Sequence, residues 1–225
     1  MKWIEKKISP EAKKALDEFI KKGGGNAKYT NFKNSDGKDK VRESLLEEQG
    51  FLCAYCMKRI NLDVKIEHWK SQASSIADKQ PHQTLDYGNL LAVCNGTDSA
   101  NDKINEHCDR TRKDIPLTIK PTNQLAVSKL KYLTNGAIKT DDLELKKDIE
   151  ESLQLNCLYL MDQRKNALSD AQAIYRLWSK NLKQDQEKKI LERLQRMYQV
   201  KHTDPDDQKD KYKEFCEFVL YFYSK

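Results

Sequence analysis

Four cysteines, two acids and one histidine in the middle of the chain have the types and spacing to do chemistry: Cys53, Cys56, Glu67, His68, Cys94, Cys108 and Asp109. A Cys-x-x-Cys turn can hold one edge of a tetrahedral zinc site, and two further cysteines complete an all-sulfur set. His107 is the alternative to Cys108 as the fourth ligand. A thiol-redox site shares the Cys53–Cys56 spacing, but it works without the other two cysteines. Ligand number therefore favours structural zinc. The surrounding segment is short and polar, and zinc binding can supply on the order of 10 kcal/mol to such a fold.

Between and just after the cysteines lie the parts of a phosphodiester hydrolase. Such an enzyme needs a base to take a proton from water, a divalent cation to stabilise charge, and cationic groups to seat the phosphates. His68 suits the first role, because imidazole titrates near neutral pH. Glu67 and Asp109 suit the second, because hard carboxylate oxygens prefer Mg²⁺ or Mn²⁺. Arg110, Arg112 and Lys113 suit the third. The side-chain amide of Asn89 suits an orienting role, hydrogen-bonding a loop that holds His68. Adjacent strand residues face opposite sides, so Glu67 and His68 can share a site only where their strand bends or ends. His107 is expected to brace a metal ligand by hydrogen bonding and Trp69 to pack, while His82 and His202 read as surface or loop residues. Lys38, Lys40 and Arg42 read as one exposed helix face within reach of phosphate.

The elements that must position these groups are partly legible. Ser9-Pro10-Glu11 reads as a helix start, with Ala12, Ala15, Leu16, Phe19 and Ile20 as its apolar stripe and Gly23-Gly24-Gly25 as its end. Residues 26–36 read as loop, and a second helix is expected from Lys38 to Gln49, stopped by Gly50. The alternation in Val64-Lys65-Ile66-Glu67-His68-Trp69 predicts a strand, and Leu90-Leu91-Ala92-Val93 a buried strand or a helical turn. A helix start is expected within Glu106–Lys113. From Pro116 onward the pattern is helical. One helix begins at Asp141-Asp142, one runs from Leu160 to Trp178 with a possible break at Ser169-Asp170, one carries Ile190 to Tyr198, and a last one is capped by Thr203-Asp204-Pro205. The expected fold is α+β and mostly helical: an N-terminal helical arm over 1–50, a zinc-stapled module over 51–115, and a helical C-terminal domain over 116–225. Cys157 and Cys216 stand among apolar residues and read as core.

Composition narrows the class. The chain has 225 residues and a formal net charge of +6 with 34% charged residues, which permits a polyanionic partner without demanding one. No apolar run approaches the ~18 residues of a membrane span, and Met1–Lys7 lacks a signal peptide's apolar stretch. A cytoplasmic protein without membrane contact is expected.

Cys53-x-x-Cys56, Glu67-His68, Asn89, Cys94 and Cys108-Asp109 occur in the order found in zinc-containing HNH endonucleases, and the segment resembles that family. More narrowly, "EEQGFLCAYC", "IEHW", "DYGNLLAVC" and "HCDRTRKD", with "SLQLN" and "KEFCEFVLYFY" in the tail, resemble the HNH nuclease subunit of Septu and retron-linked antiphage systems, the PtuB-like group. The resemblance implies a ββα-metal module in which a β-hairpin and a helix clasp one catalytic Mg²⁺. It also implies an ABC/SMC-like ATPase partner (PtuA-like), docked on the helical tail, and a role in antiphage defence in a prokaryotic cytoplasm. Nucleic acid is the implied substrate, DNA ahead of RNA such as tRNA. The chain departs from the pattern at Asp109, where His or Asn is usual, and in the wide gap between Cys94 and Cys108, which makes residues 95–106 an insertion. The rival reading is a zinc-stapled adaptor without catalysis, which leaves Glu67, His68 and Asp109 without a task.

Overall fold

The computed structural model describes residues 1–78, 81–97, 103–180 and 186–224, with backbone alone at 81 and 82. Helix α1 (Pro10–Gly23) starts where the Ser9 hydroxyl accepts the amide of Ala12, and it buries Ala12 and Leu16 against the next long helix. Residues 26–36 contain a short helix, α2 (Tyr29–Phe32), where the sequence reads as loop. Four residues are too few to show a period. The segment is fixed by two buried rings, Tyr29 and Phe32, rather than by helix propensity. Helix α3 (Gly37–Gln49) buries Val41, Leu45 and Leu46 and stops at Gly50, whose φ of +60° suits glycine.

Strands β1 (Lys65–His68) and β2 (Leu90–Val93) pair antiparallel, with Glu67 opposite Leu91 and His68 opposite Leu90. An isolated two-stranded ribbon is marginal in water. Here all four residues of β2 are buried, and Leu90, Leu91 and Val93 contribute about 1.5–3 kcal/mol each on transfer from water. Burial thus anchors the ribbon, and β1 rides on it with Lys65 and Glu67 less covered. Helix α4 (Gln72–Ala77) lies in the connection between the strands, and α5 (Asp109–Arg112) follows the last cysteine of the set.

The second half is helical but not uniformly so. It comprises α6 (Gln124–Ser128), the small ribbon β3 (Lys131–Tyr132) and β4 (Ile138–Lys139), and α7 (Leu143–Lys147), which runs into a wide turn over Asp148–Ser152. Then come α8 (Leu158–Ser179), α9 (Glu187–Gln199), the ribbon β5 (His202–Thr203) and β6 (Asp210–Lys211), and α10 (Cys216–Tyr223). Two expectations are corrected. Ser169-Asp170 does not interrupt α8, because Leu168 and Ala171 are both buried on one face and hold the helix through. Thr203-Asp204-Pro205 caps no helix: it opens the β5–β6 turn, where the Asp204 and Asp207 carboxylates both bind Lys211, and the last helix starts only at Cys216. Cys216 is buried as expected, and Cys157 is only partly so.

The three stretches of sequence interlock. Ile4 N–H donates to Pro121 O, Tyr212 N–H to Gly50 O, and Phe215 N–H to Met57 O. No helix among the described residues is long and apolar enough to cross a membrane.

Candidate active site and metal centre

The four sulfur atoms of Cys53, Cys56, Cys94 and Cys108 lie within 4.8 Å of one another. The shortest approaches are 3.9 Å between Cys53 and Cys108 and 3.8 Å between Cys56 and Cys94. A tetrahedron with metal–sulfur bonds of ~2.3 Å needs sulfurs ~3.8 Å apart. The set is therefore placed to bind a metal ion, in a geometry consistent with zinc, and the cysteines are free thiols rather than disulfides. His107 is not in the set. Its Nδ1 binds Asn105 O at 2.7 Å and its ring stacks on Tyr159. Burial alone would lower its pKa, but the Cys157 and Cys94 thiols outweigh that and push it up to about 10. The ring thus makes its hydrogen bond to a backbone carbonyl, its Nε2 is buried without a partner, and Cys108 is the fourth sulfur of the set.

Local sequence explains how distant cysteines meet. Cys53 N–H donates to Lys58 O and Met57 N–H to Cys53 O, closing the turn, with Met57 at a φ of +66°. Gln49, at the end of α3, ties this turn to β2: its amide donates to Leu52 O and Ala92 O at 2.8 Å and accepts from Ala92 N–H. The wide gap before Cys108 is closed at its neck. His107 N–H donates to Gly96 O, and a Cβ on Gly96, whose φ is +72°, would sit 2.2 Å from the His107 carbonyl. This neck contact holds the two ends of the insertion together and brings Cys94 to Cys108. Residues 98–102 of the insertion lie outside the described residues.

A cavity of about 250 Å³ is lined by Glu67, His68, Ser71, Gln72, Asp109, Lys113 and Asp114, with Asp109 directly following Cys108 in sequence. Glu67 and His68 reach it together because β1 ends at His68, which frees the second residue from strict alternation. His68 Nε2 lies 3.0 Å from Thr84 O. A carbonyl only accepts, so Nε2 carries the proton in the neutral ring and Nδ1 is the free base. Tyr29 of α2 sets its ring edge-on to the imidazole, 4.4 Å between centroids. Burial lowers the His68 pKa below 6.5, and the nearby charge of Arg112 adds to this, against the opposing Thr84 hydrogen bond.

Asn89 does what its amide suggests. Its Oδ1 accepts Lys70 N–H at 2.7 Å, and its Nδ2 donates to Lys70 O and Gln83 O. The loop after His68 is thereby tied to the segment that carries Thr84. Burial raises Glu67 to about 8; Arg112 opposes the shift, and the facing Asp109 carboxyl adds to it. Two carboxyls facing each other in a partly covered cleft hold a proton unless a cation replaces it. Lys65, two residues before Glu67 on the same strand face, places Nζ 2.9 Å from Asp109 Oδ2, while Arg112 pairs with Glu67. The donor set thus fits a hard divalent ion.

The three expected phosphate-seating cations separate. Lys113 lines the cavity. Arg110 pairs with Glu106 at 2.6 Å, one turn back. Arg112 is corrected: it is fully buried and cannot reach a phosphate in bulk solvent. Its guanidinium binds Glu67, Tyr55 OH, the carbonyls of His68 and Trp69, and Ile115 O. It therefore rivets the cysteine turn, the end of β1 and α5 together. Arg112→Met is expected to cost about 3 kcal/mol in denaturant unfolding of the metal-loaded protein, because it strands buried acceptors. Trp69 packs as expected, donating to Ile119 O beneath Lys120. Tyr29, Thr84, Gln49 and Lys65 were not singled out from sequence. Only Lys65 had a signal, the i, i+2 spacing to Glu67.

No family model matches the chain. It is 27% identical over 163 residues, 68% of this chain and 77% of the relative, to a protein of Vibrio cholerae serotype O1 biovar El Tor described as "Retron Vc95 putative HNH endonuclease".

Proposed function

We propose that the chain is a metal-dependent endonuclease of the HNH type, with a module over residues 51–115 in which β1, β2 and α5 form the ββα-metal unit. The observation that carries this reading is the convergence of His68, Glu67, Asp109 and Lys113 on one cavity, in a chain that also gathers four cysteine sulfurs into one cluster. The likeness to the Vibrio cholerae protein and the order of motifs support it. Cys53, Cys56, Cys94 and Cys108 would hold zinc, which would supply no chemistry and would fix the turn at Cys53 relative to α5.

In the reaction, His68 takes a proton from water on Nδ1, while Thr84 O and the Tyr29 ring hold the imidazole plane. Its lowered pKa keeps it unprotonated at neutral pH. Glu67 and Asp109 would hold the catalytic cation, Mg²⁺ or Mn²⁺, which would stabilise charge on the phosphate and the departing oxygen. Arg112 holds the Glu67 carboxylate in place from behind, and Lys113, with Lys65 once it is released from Asp109, seats the scissile phosphate. One such centre cuts one strand.

The segments 1–50 and 116–225 frame the module, and the tail is the docking surface for an ABC/SMC-like ATPase of the PtuA-like kind. The name of the Vibrio cholerae relative and the motif likeness support a retron- or Septu-linked antiphage role in a prokaryotic cytoplasm, with DNA as the favoured substrate. The test offers DNA and RNA to the purified protein, alone and with a co-expressed ATPase, in Mg²⁺, Mn²⁺ or EDTA. Divalent-dependent cleavage is expected. Cleavage unaffected by EDTA, or none under any of these conditions, overturns the reading.

A further inference from the structure

Just before α10, the chain lies across the cysteine turn as a strap. Tyr212 N–H donates to Gly50 O at 3.1 Å and Phe215 N–H to Met57 O at 3.2 Å, so the strap grips both ends of the segment that carries Cys53 and Cys56. Between these grips, the Glu214 carboxylate accepts the Arg59 backbone N–H at 2.6 Å. Arg59 answers from the turn: its guanidinium donates to Gly50 O and Phe51 O at 3.2 Å and also to Tyr212 O. The Tyr212 ring covers Gly50 so closely that a Cβ there would overlap it.

The backbone under the strap is strained. Phe51 and Met57, on either side of the two cysteines, have φ of +60° and +66°, and Phe215 has +51°. These values are costly for residues with a Cβ and persist only where the surroundings over-determine them. The turn's own bonds run from Cys53 N–H to Lys58 O, Met57 N–H to Cys53 O and Ile60 N–H to Phe51 O. The strap and Arg59 add the contacts that hold the carbonyls of Gly50, Phe51 and Met57. The Phe51, Met57 and Phe215 side chains are all buried, so the grip is packed as well as hydrogen-bonded.

We propose that Tyr212–Phe215, locked by Arg59, is a positioning strap for the cysteine metal site. The C-terminal half presets the Cys53–Cys56 turn for the metal, and ligands ordered in advance bind more tightly because less freedom is lost on binding. Metal retention in the module thereby depends on a docked tail. The inference rests on the zinc reading above.

The test measures zinc affinity of the full chain at fixed pH by competition with a chromophoric chelator, for wild type, Arg59→Met, Glu214→Ala and Glu214→Gln. Leu16→Ala, a core cavity in α1, controls for lost stability. Arg59→Met is expected to bind zinc about tenfold more weakly, because three carbonyls lose a charged donor. Glu214→Ala weakens it about threefold or more, while Glu214→Gln, which keeps an acceptor oxygen, stays within about twofold of wild type. Leu16→Ala lowers the thermal midpoint but leaves zinc affinity within about twofold. The visible absorption of the Co²⁺-loaded protein, which reports the geometry of metal-bound sulfur, changes in Arg59→Met and not in Leu16→Ala. A lower midpoint in Arg59→Met and Glu214→Ala with zinc affinity and cobalt spectrum unchanged means the strap only braces the fold, and overturns the proposal. An equal loss of zinc affinity in Leu16→Ala overturns it too. If Arg59→Met does not fold, the Glu214 pair decides: weaker zinc binding in Ala than in Gln supports the strap, and equal binding overturns it. A wild-type protein that takes up neither zinc nor cobalt sinks the zinc reading and the strap with it, a result seen before any variant is compared.

Discussion

His68→Ala lowers phosphodiester cleavage by about 10²–10⁴-fold, the usual contribution of a positioned general base, while zinc content and the unfolding midpoint stay near wild type. The imidazole makes one hydrogen bond to a backbone carbonyl and one edge contact to Tyr29, so its removal costs little in packing. The pH profile follows from the same surroundings. The His68 pKa is lowered, so the base is fully available at neutral pH, and activity falls only as pH drops through a value below 6.5. Wild-type activity that already falls between pH 8 and 7 would point to a different base. Steady-state cleavage from pH 5 to 8.5 checks the size of the effect and its position.

Zinc removal has the larger effect on the fold. Stripping the metal, or changing Cys53 or Cys108 to Ser, is expected to unfold the module over residues 51–115, because metal binding there is worth on the order of 10 kcal/mol. What remains at the centre is buried thiols and the few hydrogen bonds that close the Cys53 turn. Those cannot offset ordering costs of about 1–2 kcal/mol per residue. Chelation followed by circular dichroism and hydrogen exchange reads the loss. The exchange should be fastest in the Cys53–Arg59 turn and in α5, and slower in α3, which keeps its own apolar contacts. Protection that is unchanged in the Cys53–Arg59 turn after full zinc removal would show that the metal is not the staple.

The gathering of the four cysteines was legible in the residues, because a Cys-x-x-Cys turn with two further cysteines nearby has few other uses. The β1 and β2 ribbon was legible from alternation at Lys65–His68 and from the apolar run Leu90–Val93, although the second was equally compatible with a helical turn until burial decided it. Helices α1 and α3 announced themselves through Ser9, Pro10 and Gly50. Tyr29 could not be found: it comes from a polar stretch some forty residues before His68, and only tertiary packing brings the rings together. Arg112 was misread because charge suggests solvent, and nothing local says that five acceptors converge on one buried guanidinium. The β5–β6 turn was mistaken for a helix cap because Thr-Asp-Pro serves both, and the choice depends on Lys211 answering Asp204 and Asp207 from the other strand. The common cause is that side-chain partners far apart in sequence leave no periodic trace.

The central claim concerns two acids that share one cation beside a histidine. The direct measurement is anomalous scattering from a crystal of the zinc-loaded protein soaked in Mn²⁺, recorded on both sides of the manganese edge. The expected result is a manganese peak bonded to the carboxylates of Glu67 and Asp109, with Lys65 displaced and a separate zinc peak among the four sulfurs. Manganese bound elsewhere, with the Lys65–Asp109 pair intact at saturating metal, would contradict it.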